Sequence, residues 1–213
     1  MLSNMEKKFS LGFRKSEMDG TEHVFGTGMS KQNIPSSYSY RRFLPEVINQ
    51  GEYSTCVPCS ISAFLNWNEN LNTGSKKDNH IDYFEIYNQR TNMGEGMTFK
   101  EAFYYLRHHG VSSRYGLLKI DEYALVNDMN LLKSALIMNG PCVGALPVYN
   151  FSNEFWNKNQ GDMLQGYHAI SIVGYNKDGF IIRNSWGKEF GNNGYTLIKY
   201  EDLHKMVEIW TIM

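Results

Sequence analysis

Cys56, His168 and Asn184 supply, in that order along the 213-residue chain, a thiol, an imidazole and a carboxamide. A thiol attacks a carbonyl carbon as its thiolate, an anion stabilised by the unpaired N–H groups and dipole of a helix N-terminus. Cys56 stands where such a helix should begin: Ile61, Phe64 and Leu65 follow at helical spacing, and Ala63 and Trp67 add bulk. A base must take the thiol proton, and a third group must hold that base in the right tautomer. His168 opens an apolar run, 168–175, an odd place for a histidine with no task, and Asn184 closes the next, 179–184. If the two runs pair antiparallel through the turn at Asp178 and Gly179, both residues fall at one end of a sheet, with Trp186 shielding their contact from water. Gln50, six positions before Cys56, carries a side-chain amide, and Gly51 permits a tight turn after it. Held near the thiol, that amide would donate to the oxyanion formed in acyl transfer.

Two kinds of element have to position these groups. The helix from Cys56 is predicted at three to four turns, with further helices at 80–90, 98–109 and 128–138. In the second of these, Phe99, Ala102, Phe103 and Leu106 form an i, i+3, i+4, i+7 stripe, and Thr98 with Glu101 makes a capping box. The later chain reads as strands at 142–149, 168–175, 179–184, 195–200 and 207–212, with turns at 176–179 and 192–194. Helices followed by strands predict an α+β fold in two lobes.

Composition narrows the function classes. Hydrophobic residues make up 42% and aromatic residues 14%, enough for a packed core. The formal net charge of −1 gives no reason to expect nucleic acid or an anionic membrane as partner. No apolar run reaches bilayer length, and residues 1–11 lack the apolar core of a secretory signal. Three cysteines, Cys56, Cys59 and Cys142, are too few and odd in number for a disulfide framework. A reduced compartment is therefore expected, cytoplasmic or virion-associated rather than secreted, with a monomeric chain. Cys56 and Cys59 form a Cys-x-x-Cys unit that also suits a thiol oxidoreductase, though the strand expected before such a pair is missing. A zinc site would need ligands that no second Cys-x-x-Cys or histidine cluster supplies. Cys59 and Cys142 read as core residues, His23, His80, His108, His109 and His204 as surface or structural, and Phe151, Phe155 and Trp156 as packing.

The segment Gln50-Gly51-Glu52-Tyr53-Ser54-Thr55-Cys56 resembles the glutamine-to-nucleophile stretch of papain-like, cathepsin-like cysteine peptidases. Tyr167-His168-Ala169-Ile170 through Gly174-Tyr175 is similar to that family's histidine strand, and Asn139-Gly140-Pro141 to the strand before it. Asn184-Ser185-Trp186-Gly187, with Gly191, Gly194 and Tyr195, is similar to its asparagine motif. The likeness covers roughly Ile34 to Tyr200, with all four motifs in the family's order. It implies a helical left lobe and an antiparallel, barrel-like right lobe with the active site in the cleft between them. It implies Cys56 as nucleophile, His168 as base, Asn184 as its orienter and Gln50 as oxyanion donor, with no metal or organic cofactor and a peptide or protein as substrate. Gly96 and Met97 resemble the segment that pairs with substrate backbone, Ala145 and Ala169 the wall of the S2 pocket, and Trp186 adds to the binding cleft. Such small residues imply an apolar side chain at P2. Several positions depart from the pattern. Val57-Pro58 follows the nucleophile in place of an aromatic residue, Tyr53 replaces a disulfide cysteine, and Ser54-Thr55 stands where Gly-Ser is typical. The nucleophile-to-base spacing is also shorter than the about 130–150 residues of the family signature, so a trimmed variant is expected.

Residues 1–33 are expected to form an N-terminal extension, with the catalytic domain over 34–213, its helical lobe at about 50–125 and its β-rich lobe at about 135–213. The extension reads either as a disordered tail or, since papain-like enzymes are commonly kept latent by a pro-segment, as a built-in inhibitor released by cleavage after about Lys31. The alternatives to an endopeptidase are a catalytically silent peptide-binding protein and a related amidase or transpeptidase.

Overall fold

The computed structural model describes residues 9–26, 33–74 and 78–213. Helix α1, Cys56–Thr73, runs for 18 residues, longer than its apolar spacing predicts. Its last turns bury polar rather than apolar groups. Asn66 Oδ1 accepts from the Asn79 N–H at 2.9 Å, and Asn79 Nδ2 donates to Asn70 Oδ1 at 3.0 Å. Gly74, at φ 67°, closes the helix in the left-handed conformation. The stretch predicted as a helix over 80–90 shortens to α2, Tyr83–Tyr87, started by Asp82, whose carboxylate accepts from the Phe84 and Glu85 N–H groups. Helix α3, Phe99–His108, carries the predicted capping box and buries the predicted stripe. Helix α4, Met129–Met138, starts at an Asp128 cap.

The strands are β1 Tyr38–Ser39, β2 Val111–Ser113, β3 Gly116–Leu118, β4 Tyr123–Leu125, β5 Cys142–Val148, β6 Gly166–Tyr175, β7 Gly179–Arg183, β8 Tyr195–Lys199 and β9 Glu208–Ile212. One antiparallel sheet runs in the order β4-β9-β5-β6-β7-β8, with β1 also on β6, while β2 and β3 form a separate hairpin. The chain beyond the β2–β3 hairpin joins the sheet, because β4 covers the edge of β9 with Ala124 opposite Thr211. Strand β6 sits inside the sheet and is buried from His168 onward. Helix α1 packs against it, and Ser171 Oγ on β6 donates to the Ser60 carbonyl on α1 at 2.7 Å. The helical part and the sheet meet along this seam.

Residues 9–26 cross the seam in extended form, held by main-chain bonds to other elements. The Ser10 N–H donates to Gly51 O at 3.2 Å, the Met97 N–H to Gly12 O at 2.8 Å and the Arg14 N–H to Met97 O at 3.0 Å. Farther on, the Leu125 N–H donates to His23 O and the Phe25 N–H to Leu125 O. Phe13 and Phe25 are buried. This stretch is not a disordered tail: Phe9, Leu11 and Phe13 alternate as in a strand, and the strand's partners come from distant parts of the chain. The cleavage point expected near Lys31 lies outside the described residues.

Candidate active site

Cys56 is the first residue of α1, so the unpaired N–H groups of the first helical turn surround its side chain. His168 lies in β6, and Asn184 directly follows β7. The two strands are antiparallel neighbours, with Ser171 opposite Arg183, which brings His168 and Asn184 to one end of the pair. His168 Nε2 and Asn184 Oδ1 are 2.7 Å apart, and the Ser185 N–H also donates to Asn184 Oδ1 at 2.7 Å. That second bond identifies the atom as the carboxamide oxygen, which only accepts, so Nε2 carries the imidazole proton. Nδ1 is then an acceptor, and it is buried without a hydrogen-bond partner. This is the tautomer a base for a thiol must have. The Ala169 main chain, next in sequence to the imidazole, reaches the Cys56 thiol.

Trp186 stacks on the His168 ring at 4.5 Å, and Phe155 meets that ring edge-on at 5.8 Å. Phe151 and Phe190 close around Trp186. Two residues expected only to pack, Phe151 and Phe155, therefore help enclose the histidine. Asn184 Nδ2 and Trp186 Nε1 are buried without partners.

Gln50 is fixed from behind. Its N–H donates to Ser185 O at 2.9 Å, and Ser185 Oγ donates to its Oε1 at 2.6 Å. The amide Nε2 is left to donate to Tyr53 O at 2.8 Å and Ser10 O at 3.0 Å. Met97 exchanges main-chain bonds with Gly12 and Arg14, and Gly96 beside it has φ +86°. Ala145 and Ala169 are direct partners across β5 and β6. Both belong to the buried cluster that contains Phe13, Cys56 and Met97. The structure thus brings all nine sequence-selected residues to one seam, and residues 9–16 lie along it.

The fit at Gly12 is tight. A Cβ there would stand 2.0 Å from the Ser54 carbonyl oxygen, so only glycine lets the strand approach the loop before Cys56 this closely. Burial dominates the electrostatics beneath it. It pushes the Cys56 thiol up to about 11, against smaller downward effects from the main chains of Ala169 and Gly12. It pushes His168 down to about 4, against the opposing bond to Asn184. At neutral pH the pair is thiol and neutral imidazole.

Sequence reasoning missed several residues. Ser185 joins the Gln50 and Asn184 amides. Glu208 stands opposite Ala145 in β9, and its buried carboxylate accepts from the Ser16 N–H at 2.6 Å and from Trp210 Nε1 at 2.9 Å. An acid within the apolar run 207–212 is as out of place as His168 and offered the same signal. Ser54 Oγ donates to Glu95 Oε2 at 2.9 Å, a pairing with no sequence signature. The other described histidines are exposed. Cys59 and Cys142 are buried free thiols pushed up to about 12 by burial. Among the described residues no group of three His, Cys, Asp or Glu could hold a metal, and no helix is long and apolar enough to cross a membrane.

The family described as "Papain family cysteine protease" matches residues 54–211. A cathepsin B-like cysteine proteinase 1 of Haemonchus contortus is 30% identical over 93 residues, which cover 40% of this chain and 26% of the relative. Vignain of Vigna mungo is 26% identical over 83% of this chain and 58% of its own length. The chain thus spans less than two thirds of these curated relatives. Among solved structures, xylellain, a cysteine protease from Xylella fastidiosa, superposes with a TM-score of 0.78 at 22% identity, over 97% of this chain and 96% of that one.

Proposed function

This chain belongs to the papain family of cysteine proteases, and from that premise we propose that it is a cysteine endopeptidase held latent by residues 9–16. Cys56 Sγ gives its proton to His168 Nδ1 and attacks the substrate carbonyl carbon. The Gln50 amide and the Cys56 N–H receive the oxyanion. The tetrahedral intermediate collapses as imidazolium protonates the leaving amine, leaving a thioester at Cys56. Water then gives a proton to His168 and its oxygen to the acyl carbon, which releases the acid and the thiol. Asn184 holds the imidazole in the Nε2–H tautomer throughout. The observation that carries this reading is the orphaned Nδ1, on a ring fixed through Nε2, with the main chain of neighbouring Ala169 reaching a thiol at a helix N-terminus.

Latency is supported by what the N-terminal strand occupies. The Ser10 carbonyl takes the Gln50 amide, Gly12 and Arg14 take the Met97 main chain, and Phe13 packs in the cluster of Met97, Ala145 and Ala169. Phe13 thus fills the proposed S2 pocket, in keeping with an apolar P2 preference. A substrate places P2 in that pocket and the following P1 carbonyl at Gln50, so its chain runs from Met97 toward Gln50. The segment runs the other way, from Ser10 to Phe13, opposite to a substrate. With Gly12 against the Cys56 thiol, the segment also makes the thiolate that attack requires harder to form.

Labelling with an epoxide that alkylates papain-type thiols, followed by mass mapping, tests both parts on the full chain and on a form starting at residue 32. Alkylation at Cys56 that vanishes in His168→Ala is expected, and faster labelling of the shorter form. No alkylation of reduced Cys56 in either form would favour the silent peptide-binding protein. Equal rates would remove latency and leave the peptidase.

A further inference from the structure

The N-terminal strand also reports on the part of the cleft that takes the residue before the scissile bond. Ser10, whose carbonyl lies on the Gln50 amide, rests its side chain on Ser54, which stands two residues before Cys56 and, through Gly12, between the Gln50 amide and the Met97 main chain, the interval that P1 must span. Its hydroxyl is 2.7 Å from Ser54 Oγ, and Ser54 Oγ donates to Glu95 Oε2 at 2.9 Å. A hydroxyl has one proton to give, so the Ser54 proton points at the carboxylate and Ser10 is the donor to Ser54. Donation runs one way, from Ser10 to Ser54 to Glu95. When the strand leaves, this corner presents only acceptors: the lone pairs of a buried hydroxyl and, behind it, a carboxylate at the rim.

No ion pair among the described residues neutralises Glu95. Arg90, near in sequence, spends its guanidinium on the carbonyls of Gly94 and Tyr87 and on the Tyr87 ring. Arg14 passes over Gly96 and departs with the strand. Glu95 also directly precedes Gly96 and Met97, the stretch proposed to grip substrate backbone, which fixes its place relative to a bound peptide.

We propose that Glu95, with Ser54, is a specificity-determining residue that selects lysine or arginine at P1. The inference rests on the peptidase reading. Either side chain passes Ser54 on an apolar stem and delivers several donors to acceptors that have no other partner. Glu95 is exposed, so the preference is modest and weakens with salt.

The test uses the full-length chain and compares alkylation rates at Cys56 by two peptidyl chloromethyl ketones that differ only at P1, arginine in one and norleucine in the other. Each is measured in the wild type, Glu95→Gln and Glu95→Lys, and again with Gly12→Ala added to displace the strand. Both probes meet the same fraction of open molecules, so their ratio does not depend on latency. A preference for arginine of roughly fivefold is expected at low salt, shrinking as salt rises. It should fall to near one in Glu95→Gln and invert in Glu95→Lys. Equal rates in the wild type, or a preference untouched by Glu95→Gln, overturn the inference while Cys56 alkylation upholds the peptidase. No alkylation by either probe in any background overturns both.

Discussion

At His168 the two ring nitrogens have unequal surroundings. Nε2 is fixed by Asn184, whereas Nδ1 is buried and unpaired. Burial holds this imidazole at about 4, below its ordinary 6.5, and holds the Cys56 thiol at about 11, above its ordinary 9.0. On the latency proposal both shifts belong to the covered state, and both then link its population to pH. Between about 6.5 and 4 an uncovered His168 binds a proton that the covered one does not, and falling pH therefore favours release of the strand. Above about 9 an uncovered Cys56 loses a proton that the covered one keeps, which again favours release. Glu22 adds to the acid limb. Its carboxylate is held below the usual range chiefly by Lys100, at 2.8 Å, and that tie is lost once it protonates. Limited proteolysis within residues 9–26 should therefore be slowest near neutrality and accelerate as pH falls from 6.5 toward 4. A flat profile would mean that burial of the pair is not linked to the strand.

The element proposed to hold the site latent is the extended segment at residues 9–16, and its tightest point is Gly12. A methyl group there meets the Ser54 carbonyl at 2.0 Å, and both contacting groups are main chain, which a rotamer change cannot relieve. Gly12→Ala in the full chain should lift the strand and raise peptidase activity severalfold toward that of the form lacking residues 1–31. Unchanged activity would show that the approach relaxes without releasing the cleft. The helices tell a complementary story. Helix α3 begins and buries its face as its capping box and stripe require, because those signals act within one turn or one face. Helix α1 overran its apolar pattern because its last turns are sealed by amides of the 79 loop, whose approach depends on the fold.

For the whole molecule, the strand contributes to the core it covers. Phe13 joins the cluster around Cys56, and Phe25 the one beneath the sheet. Each buried phenylalanine stabilises by about 1.5–3 kcal/mol before the cost of ordering the chain. The form starting at residue 32 should then be the more active and the less stable, with Tm lower by roughly 5 °C. A covalent inhibitor that fills the cleft should restore part of the loss. Equal Tm values for the two forms would count against a strand that packs as part of the fold.

The sequence by itself singled out the proposed chemical set and its order: Gln50, Cys56, His168 and Asn184 are marked by residue type, by neighbouring glycines and by runs whose period reads as helix or strand. Those features are local, so they survive without knowledge of the fold. It also marked the sheet strands closely enough to place His168 and Asn184 at one end of a pair. Only the tertiary structure decided what lies on that site. Ser10, Gly12 and Phe13 take their partners from Gln50, Ser54 and Met97, some forty to eighty positions away, and Ser54 takes Glu95 by the same kind of contact. An extended segment buried by such distant partners carries little periodic signal of its own, because its burial is set by shapes that exist only after the rest of the chain has folded.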